Sequence, residues 1–149
     1  MELQDQLWRA VARTFECFCF LVPHEDAGER TTPEYATAAW LPFARVDGAE
    51  ALGKEGSLTL RAEPELLQRA LEGMLDDPTE VSPQDGLGEL ANVICGQVLG
   101  DVAPESVFDL GSPSALDGET PPFPAPASSV KAELVFDDGV IEVGLHLPS

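Results

Sequence analysis

The stretch Ser82-Pro-Gln-Asp85-Gly-Leu-Gly-Glu89-Leu-Ala-Asn92-Val-Ile-Cys-Gly96-Gln-Val-Leu-Gly100 decides how this chain folds. Ser82 is a good N-cap, Pro83 suits the first helical position, and Asp85 in the first turn meets the positive end of the helix dipole. A helix is expected from there to about Gly100. At about 100° per residue, Leu87, Leu90, Ala91, Ile94 and Val98 fall on one face and form a core stripe. Asp85, Glu89, Asn92 and Gly96 fall opposite. A Glu and an Asn three residues apart are neighbours on a helix surface, so both can address one target. Gly96 costs the helix about 1 kcal/mol relative to alanine, a cost that close approach of another backbone would offset. Two readings of this face stay open. It is a docking surface, or it is a solvated polar face with Gly96 packed against a neighbour in the same chain.

Upstream of this helix, Pro64 suits the first turn of a shorter one whose inner stripe is Leu67, Ala70, Leu71 and Met74, stopped by Asp76-Asp77-Pro78. Before it, Leu58, Leu60 and Ala62 alternate with Ser57, Thr59 and Arg61 as a half-buried strand. Residues Tyr35 to Val46 read as another strand, in which Pro42 lacks a donor and signals an edge or a bulge. The chain starts with a helical stripe of Leu3, Leu7, Val11 and Phe15, flanked by Trp8 and Ala12. Downstream, a short strand is expected around Ser106 to Leu110. Gly111 to Ala127 then holds five prolines among small and polar residues and reads as a long loop. Val130, Ala132, Leu134 and Phe136 alternate, Asp137-Asp138-Gly139 turns, and Ile141, Val143 and Leu145 return as the second arm of a hairpin.

These stripes need one shared core, so the expected fold is a single α/β (α+β) domain over residues 1–149, an antiparallel sheet packed against two long helices. The length of 149 residues fits one domain, and 44% hydrophobic with 23% charged residues is an ordinary globular balance. The longest mainly apolar uncharged run, Cys17 to Pro23, is far short of the roughly 18–20 residues that span a bilayer. The opening Met1-Glu2-Leu3-Gln4-Asp5 is acidic and amphipathic where a secretory signal is basic and then apolar. A cytoplasmic protein without membrane insertion is expected.

Charge narrows the partners. Acidic residues number 27 against 8 basic ones, a net of −19, with no cluster of Lys and Arg to neutralise a phosphate backbone. Nucleic acid is therefore not an expected partner, and anionic membrane surfaces are disfavoured for the same reason. The acidity serves solubility or steers the chain toward a basic docking face. The three cysteines cannot all pair and read as thiols. Cys17 and Cys19 with His24, joined by Cys95, raise a metal site. The paired clusters of structural zinc sites are missing, and Phe15-Glu16-Cys17-Phe18-Cys19-Phe20 looks like core, so no metal is assigned.

The segment from Asp85 through Glu89 and Asn92 to Gly96 resembles the signature of the CheC/CheX/FliY phosphatases of bacterial chemotaxis. That pattern is Asp or Ser, three residues, Glu, two residues, Asn, then about 21 residues and Pro. Here Pro113 follows Asn92 after 20 intervening residues. The order of helices and strands resembles the CheX layout across nearly the whole chain. CheC-type members can carry a second Glu-x-x-Asn helix near the N-terminus; residues 2–20 contain no asparagine, so one site per chain is expected, as in CheX.

The resemblance implies a protein substrate, the aspartyl phosphate of a phosphorylated CheY-like response regulator. By carry-over, Asn92 orients a water for in-line attack on phosphorus and Glu89 pairs with the receiver's active-site lysine. Asp85 and Gly96 lie on the partner-binding face. No cofactor is implied on this chain, and the Mg²⁺ belongs to the partner receiver domain. CheX-type members dimerise, so the resemblance also allows a homodimer. A second class of function uses the same face without catalysis: a silent adaptor that binds a receiver or another signalling partner.

Overall fold

A computed structural model describes residues 2–24, 33–35, 37–46, 54–117 and 129–147. Helix α1 spans Leu3–Thr14 and runs on into a π-helical turn at Phe15–Cys19. Strands β1 (Thr37–Arg45) and β2 (Lys54–Ala62) lead into helix α2 (Pro64–Met74). A single 3₁₀ turn, Pro78–Glu80, hands over to helix α3 (Pro83–Val102). Short strands β3 (Phe108–Leu110) and β4 (Ser114–Asp117) follow, then the hairpin of β5 (Val130–Phe136) and β6 (Gly139–His146). All pairings are antiparallel, in the order β3-β1-β2-β6-β5, with β4 beside β3 on the same flank of β1.

The strand alternation read from the sequence decides which face of the sheet is buried. Leu41 and Phe43 of β1, Leu58 and Leu60 of β2, Ile141 and Val143 of β6, and Leu134 and Phe136 of β5 join one core with the helices. The inner stripe of α3 is complete: Leu87, Leu90, Ala91, Ile94 and Val98 are all 0% exposed. Helix α1 lies along α3 and β5, and α2 against α3 and β6, so three helices cover the sheet where two were expected. The ring of Phe15, at the end of α1, meets Phe136 of the hairpin at 4.8 Å. Among the described residues no helix is long and apolar enough to cross a membrane.

Three expectations need correction. Pro42 does not mark an edge strand. Strand β1 is interior, paired along its length with β2 and on its other flank with β4 at Thr37–Trp40 and β3 at Phe43–Arg45. The carbonyl of Pro42 accepts a 2.7 Å hydrogen bond from Gly111 N–H. On a strand the N–H and C=O of one residue point to the same side, so the donor that proline lacks faces the gap between β3 and β4. The partner strand is broken where β1 has nothing to give. Next, residues 114–117 of the expected proline-rich loop at 111–127 form β4, after three loop residues at 111–113; 118–127 lie outside the described residues.

Finally, the aromatic run at 15–20 is only half core. Phe15 and Cys19 are buried, but Cys17 is exposed and Phe18 and Phe20 are 40% and 76% exposed. The wide π turn returns only every fourth or so residue to the inner face, and Phe20 at φ 60° leaves the helix in the left-handed region. The three thiols are therefore unequal. Burial pushes the Cys19 thiol up to about 11 and the Cys95 thiol up to about 12. Because the thiolate is the reactive form, iodoacetamide at mildly alkaline pH should label Cys17 alone in the native protein. Cys19 and Cys95 should react only on unfolding. Mass spectrometry of the labelled peptides checks this, and rapid native labelling of Cys95 would contradict the packing of α3.

Candidate functional site

Local chemistry starts α3 where the sequence expects it. Asp77 caps the start of the preceding 3₁₀ turn by accepting from Thr79 N–H at 3.1 Å. Ser82 Oγ then accepts from Asp85 N–H at 3.1 Å, satisfying one of the orphan donors of the first turn, and Pro83 occupies the first helical position. With the apolar stripe sealed inside, the opposite face is held outward. Asp85, Glu89 and Gly96 are exposed, and Asn92 is half-buried. Among the described residues, no side chain bonds to the Glu89 carboxylate or the Asn92 amide.

Asp85, Glu89 and Asn92 line one groove of about 530 Å³ between α3 and β4. Glu80, Val81 and Gln84 also line it, and Pro113, Ser114 and Ala115 form the wall across from α3. Gly96 lies one turn beyond, outside the groove. Among the described residues the groove holds three carboxylates, from Glu80, Asp85 and Glu89, and no lysine, arginine, histidine or cysteine. Such a cleft repels a free phosphate and offers no nucleophilic thiol or imidazole. It offers an amide and a carboxylate side by side on a rigid helix. Elsewhere, no three His, Cys, Asp or Glu side chains among the described residues lie close enough together to hold a metal ion.

One reading of Gly96 is overturned. A Cβ built there meets nothing within 4 Å, so this glycine is not packed against its own chain. The glycines of α3 that do make close approaches are ones the sequence reading passed over: Gly86, against Leu71, and Gly88, whose Cβ would stand 3.1 Å from Pro113 Cγ. The signal for them was the same as for Gly96, a helix-interior glycine with its cost of about 1 kcal/mol. Of the wall at 113–115 the sequence signalled only Pro113, the proline that ends the signature; the short strand behind it carries too little alternation to read.

The family described as chemotaxis phosphatase CheX matches residues 50–137, more than half of the chain. No curated relative matches the sequence. Among solved structures, the chemotaxis protein CheX from Vibrio vulnificus superposes with a TM-score of 0.70 at 16% identity, over 98% of this chain and 96% of that one. A CheX from Desulfovibrio desulfuricans gives 0.67 at 15% identity, over 97% and 98% of the two chains. The CheX-CheY-BeF3-Mg²⁺ complex from Borrelia burgdorferi gives 0.65 at 15% identity and 99% coverage of both chains. At these identities the structures show a common fold.

The open surroundings of Gly96 generate a direct expectation. Gly96→Ala adds a methyl into empty space and removes backbone freedom from the unfolded chain, so it should stabilise the protein by about 0.5–1 kcal/mol. Urea unfolding monitored by circular dichroism measures it, and a loss of stability would mean that Gly96 is packed after all.

Proposed function

The chain belongs to the CheX family of chemotaxis phosphatases, and from that premise we propose that it hydrolyses the aspartyl phosphate of a CheY-like response-regulator receiver domain. Asn92 orients the attacking water, and Glu89 anchors α3 by pairing with the receiver's active-site lysine. The observation that carries this reading is the outward pairing of Glu89 and Asn92 in one groove, without a hydrogen-bond partner among the described residues, on a helix whose other face is wholly buried. The Borrelia burgdorferi relative crystallised as a CheX-CheY-BeF3-Mg²⁺ complex supports a CheY-like receiver as the partner.

The chemistry suits these groups. Water attacks phosphorus in line, the bond from phosphorus to the receiver's carboxylate oxygen breaks, and inorganic phosphate leaves with the water's oxygen. Such a transfer needs positioning and charge neutralisation more than covalent help. An amide donates through Nδ2 and accepts through Oδ1 without changing charge, so Asn92 can hold a water in one orientation throughout the step. Neutralisation does not come from the described residues of this groove, which include three carboxylates and no cation. It would come from the receiver, whose Mg²⁺ and active-site lysine would supply the positive charge. Asp85 and Gly96 extend the docking face on either side of the working pair, and no cofactor is assigned to this chain.

Removing one positioning group typically costs on the order of 10²–10³ in rate, about 2.7–4 kcal/mol, when it acts in the transition state. Asn92→Ala should therefore nearly abolish phosphate release from a phosphorylated receiver while leaving the melting curve unchanged. Glu89→Ala should act through docking, weakening association and its salt dependence, so saturating protein rescues it more than Asn92→Ala. Steady-state phosphate release at several protein concentrations and salt levels separates the two. An Asn92→Ala protein working at the wild-type rate would leave α3 as the docking face of a silent adaptor.

A further inference from the structure

Asn92 differs from the other outward residues of α3 in being half-buried. The wall that shares its groove is Pro113, Ser114 and Ala115. Gly88 lies one turn before Asn92, displaced by only about 40° around the helix, whereas Glu89 lies about 60° to the other side. At Gly88 the wall touches the helix. A Cβ there would stand 3.1 Å from Pro113 Cγ and 3.5 Å from Pro113 Cβ, against about 3.5–4.0 Å for relaxed carbon contacts. The missing methyl of Gly88 is thus the space in which the proline ring sits.

Pro113 is brought there by the break in the sheet. Gly111 N–H bonds to the Pro42 carbonyl, and a Cβ at Gly111 would stand 2.9 Å from Pro42 Cγ, so the chain is seated closely on β1 just before it turns. Two residues later it presents Pro113 to α3, and β4 begins at Ser114. Beside Asn92 the wall thus meets the helix at the contact of Gly88 with the Pro113 ring, and the chain just before Pro113 is seated on β1.

We propose that Gly88 and Pro113 are positioning residues for Asn92: their contact sets the wall that holds the Asn92 amide in the orientation that receives water. This rests on the phosphatase reading above. Neither residue touches the reacting atoms. A methyl at position 88 drives the wall outward by a few tenths of an ångström, and loss of the pyrrolidine ring at 113 lets it fall away. Made together, the two changes exchange one carbon contact for another.

That compensation is the test. Gly88→Ala, Pro113→Ala and the double variant are compared in thermal melts and in phosphate release from a CheY-like receiver kept phosphorylated by acetyl phosphate. In parallel, ¹⁵N relaxation reads the Asn92 side-chain amide against that of Gln97, exposed on the same helix. Each single variant should lower kcat on the order of tenfold with KM within about twofold, and the double variant should recover toward wild type. The Asn92 amide should be restrained in wild type and approach the mobility of Gln97 in Pro113→Ala. Alanine favours a helix over glycine, so Gly88→Ala should lose rate without losing stability.

Losses that add in the double variant, or that track the melting temperature, would overturn the positioning role. If Asn92→Ala is inactive while both single variants keep the wild-type kcat, the phosphatase reading stands and this inference falls. If wild type releases no phosphate, the phosphatase reading falls. The wall is then judged by relaxation alone, and an Asn92 amide as mobile as Gln97 in wild type overturns it.

Discussion

The outward face of α3 exists because its inner face has nowhere else to go. Leu87, Leu90, Ala91, Ile94 and Val98 are sealed against α1, α2 and the sheet, each large side chain contributing about 1.5–3 kcal/mol by leaving water. A rotation of α3 by one residue, about 100°, would expose part of that stripe and press a carboxylate or amide into an apolar core, where an unpaired polar group costs several kcal/mol. The helix therefore has one azimuth. Since Asp85, Glu89 and Asn92 ride on the same rigid cylinder, their directions follow from packing elsewhere in the molecule. A mechanism that works by positioning needs its groups on an element whose orientation is over-determined in this way.

The other side of the groove answers to a different constraint, the missing donor of Pro42. A continuous strand beside β1 would meet an unpaired position in mid-sheet. The chain instead breaks into β3 and β4 around Gly111, whose N–H uses the carbonyl that Pro42 does offer. The break turns the proline at 113 toward α3 and gives the cleft its wall. Strand β3 is held at its far end by the edge-to-face contact of Phe43 with Phe108 at 5.3 Å. Two chain segments far apart in sequence, 82–92 and 111–115, thus meet at a junction that neither specifies alone.

That division marks what was legible in the sequence. Periodicity reports which side of an element is buried, and it placed the stripe of α3 and the alternation of β5 and β6. In α2 it passed over Leu66, which is fully buried, and took in Met74, which is only partly so; in α1 it passed over Ala10, and in β2 it put the buried Ser57 on the outer face. It also separated Glu89 and Asn92 from the core. It does not report what lies opposite an element. Gly96 and Gly88 carry the same local signal, yet only Gly88 meets a neighbour. Pro42 was recognisable as a fault in a strand, but whether the fault lies at the sheet edge or in the partner depends on the partner. The run at Phe15–Phe20 misled because apolar composition was taken for burial, while a π turn and a left-handed Phe20 direct half of it to solvent.

The charge of the cleft gives the strongest reason to regard this site as half of a larger one. Phosphoryl transfer develops negative charge on the transferred group and its leaving oxygen, and a protein that performed it alone would surround that charge with cations or aligned N–H groups. This groove does the reverse: among the described residues Glu80, Asp85 and Glu89 share it with the amides of Gln84 and Asn92, in a chain of net charge −19. Isolated phosphate has no reason to enter. A phosphoryl group already neutralised on another protein can be approached, and a lysine on that protein would be drawn to Glu89 by the same field that excludes the free anion. The acidity that makes the cleft a poor site for free phosphate thus suits it to phosphate presented inside a cationic frame, and in the proposed mechanism the amide of Asn92 is the group that reaches the water.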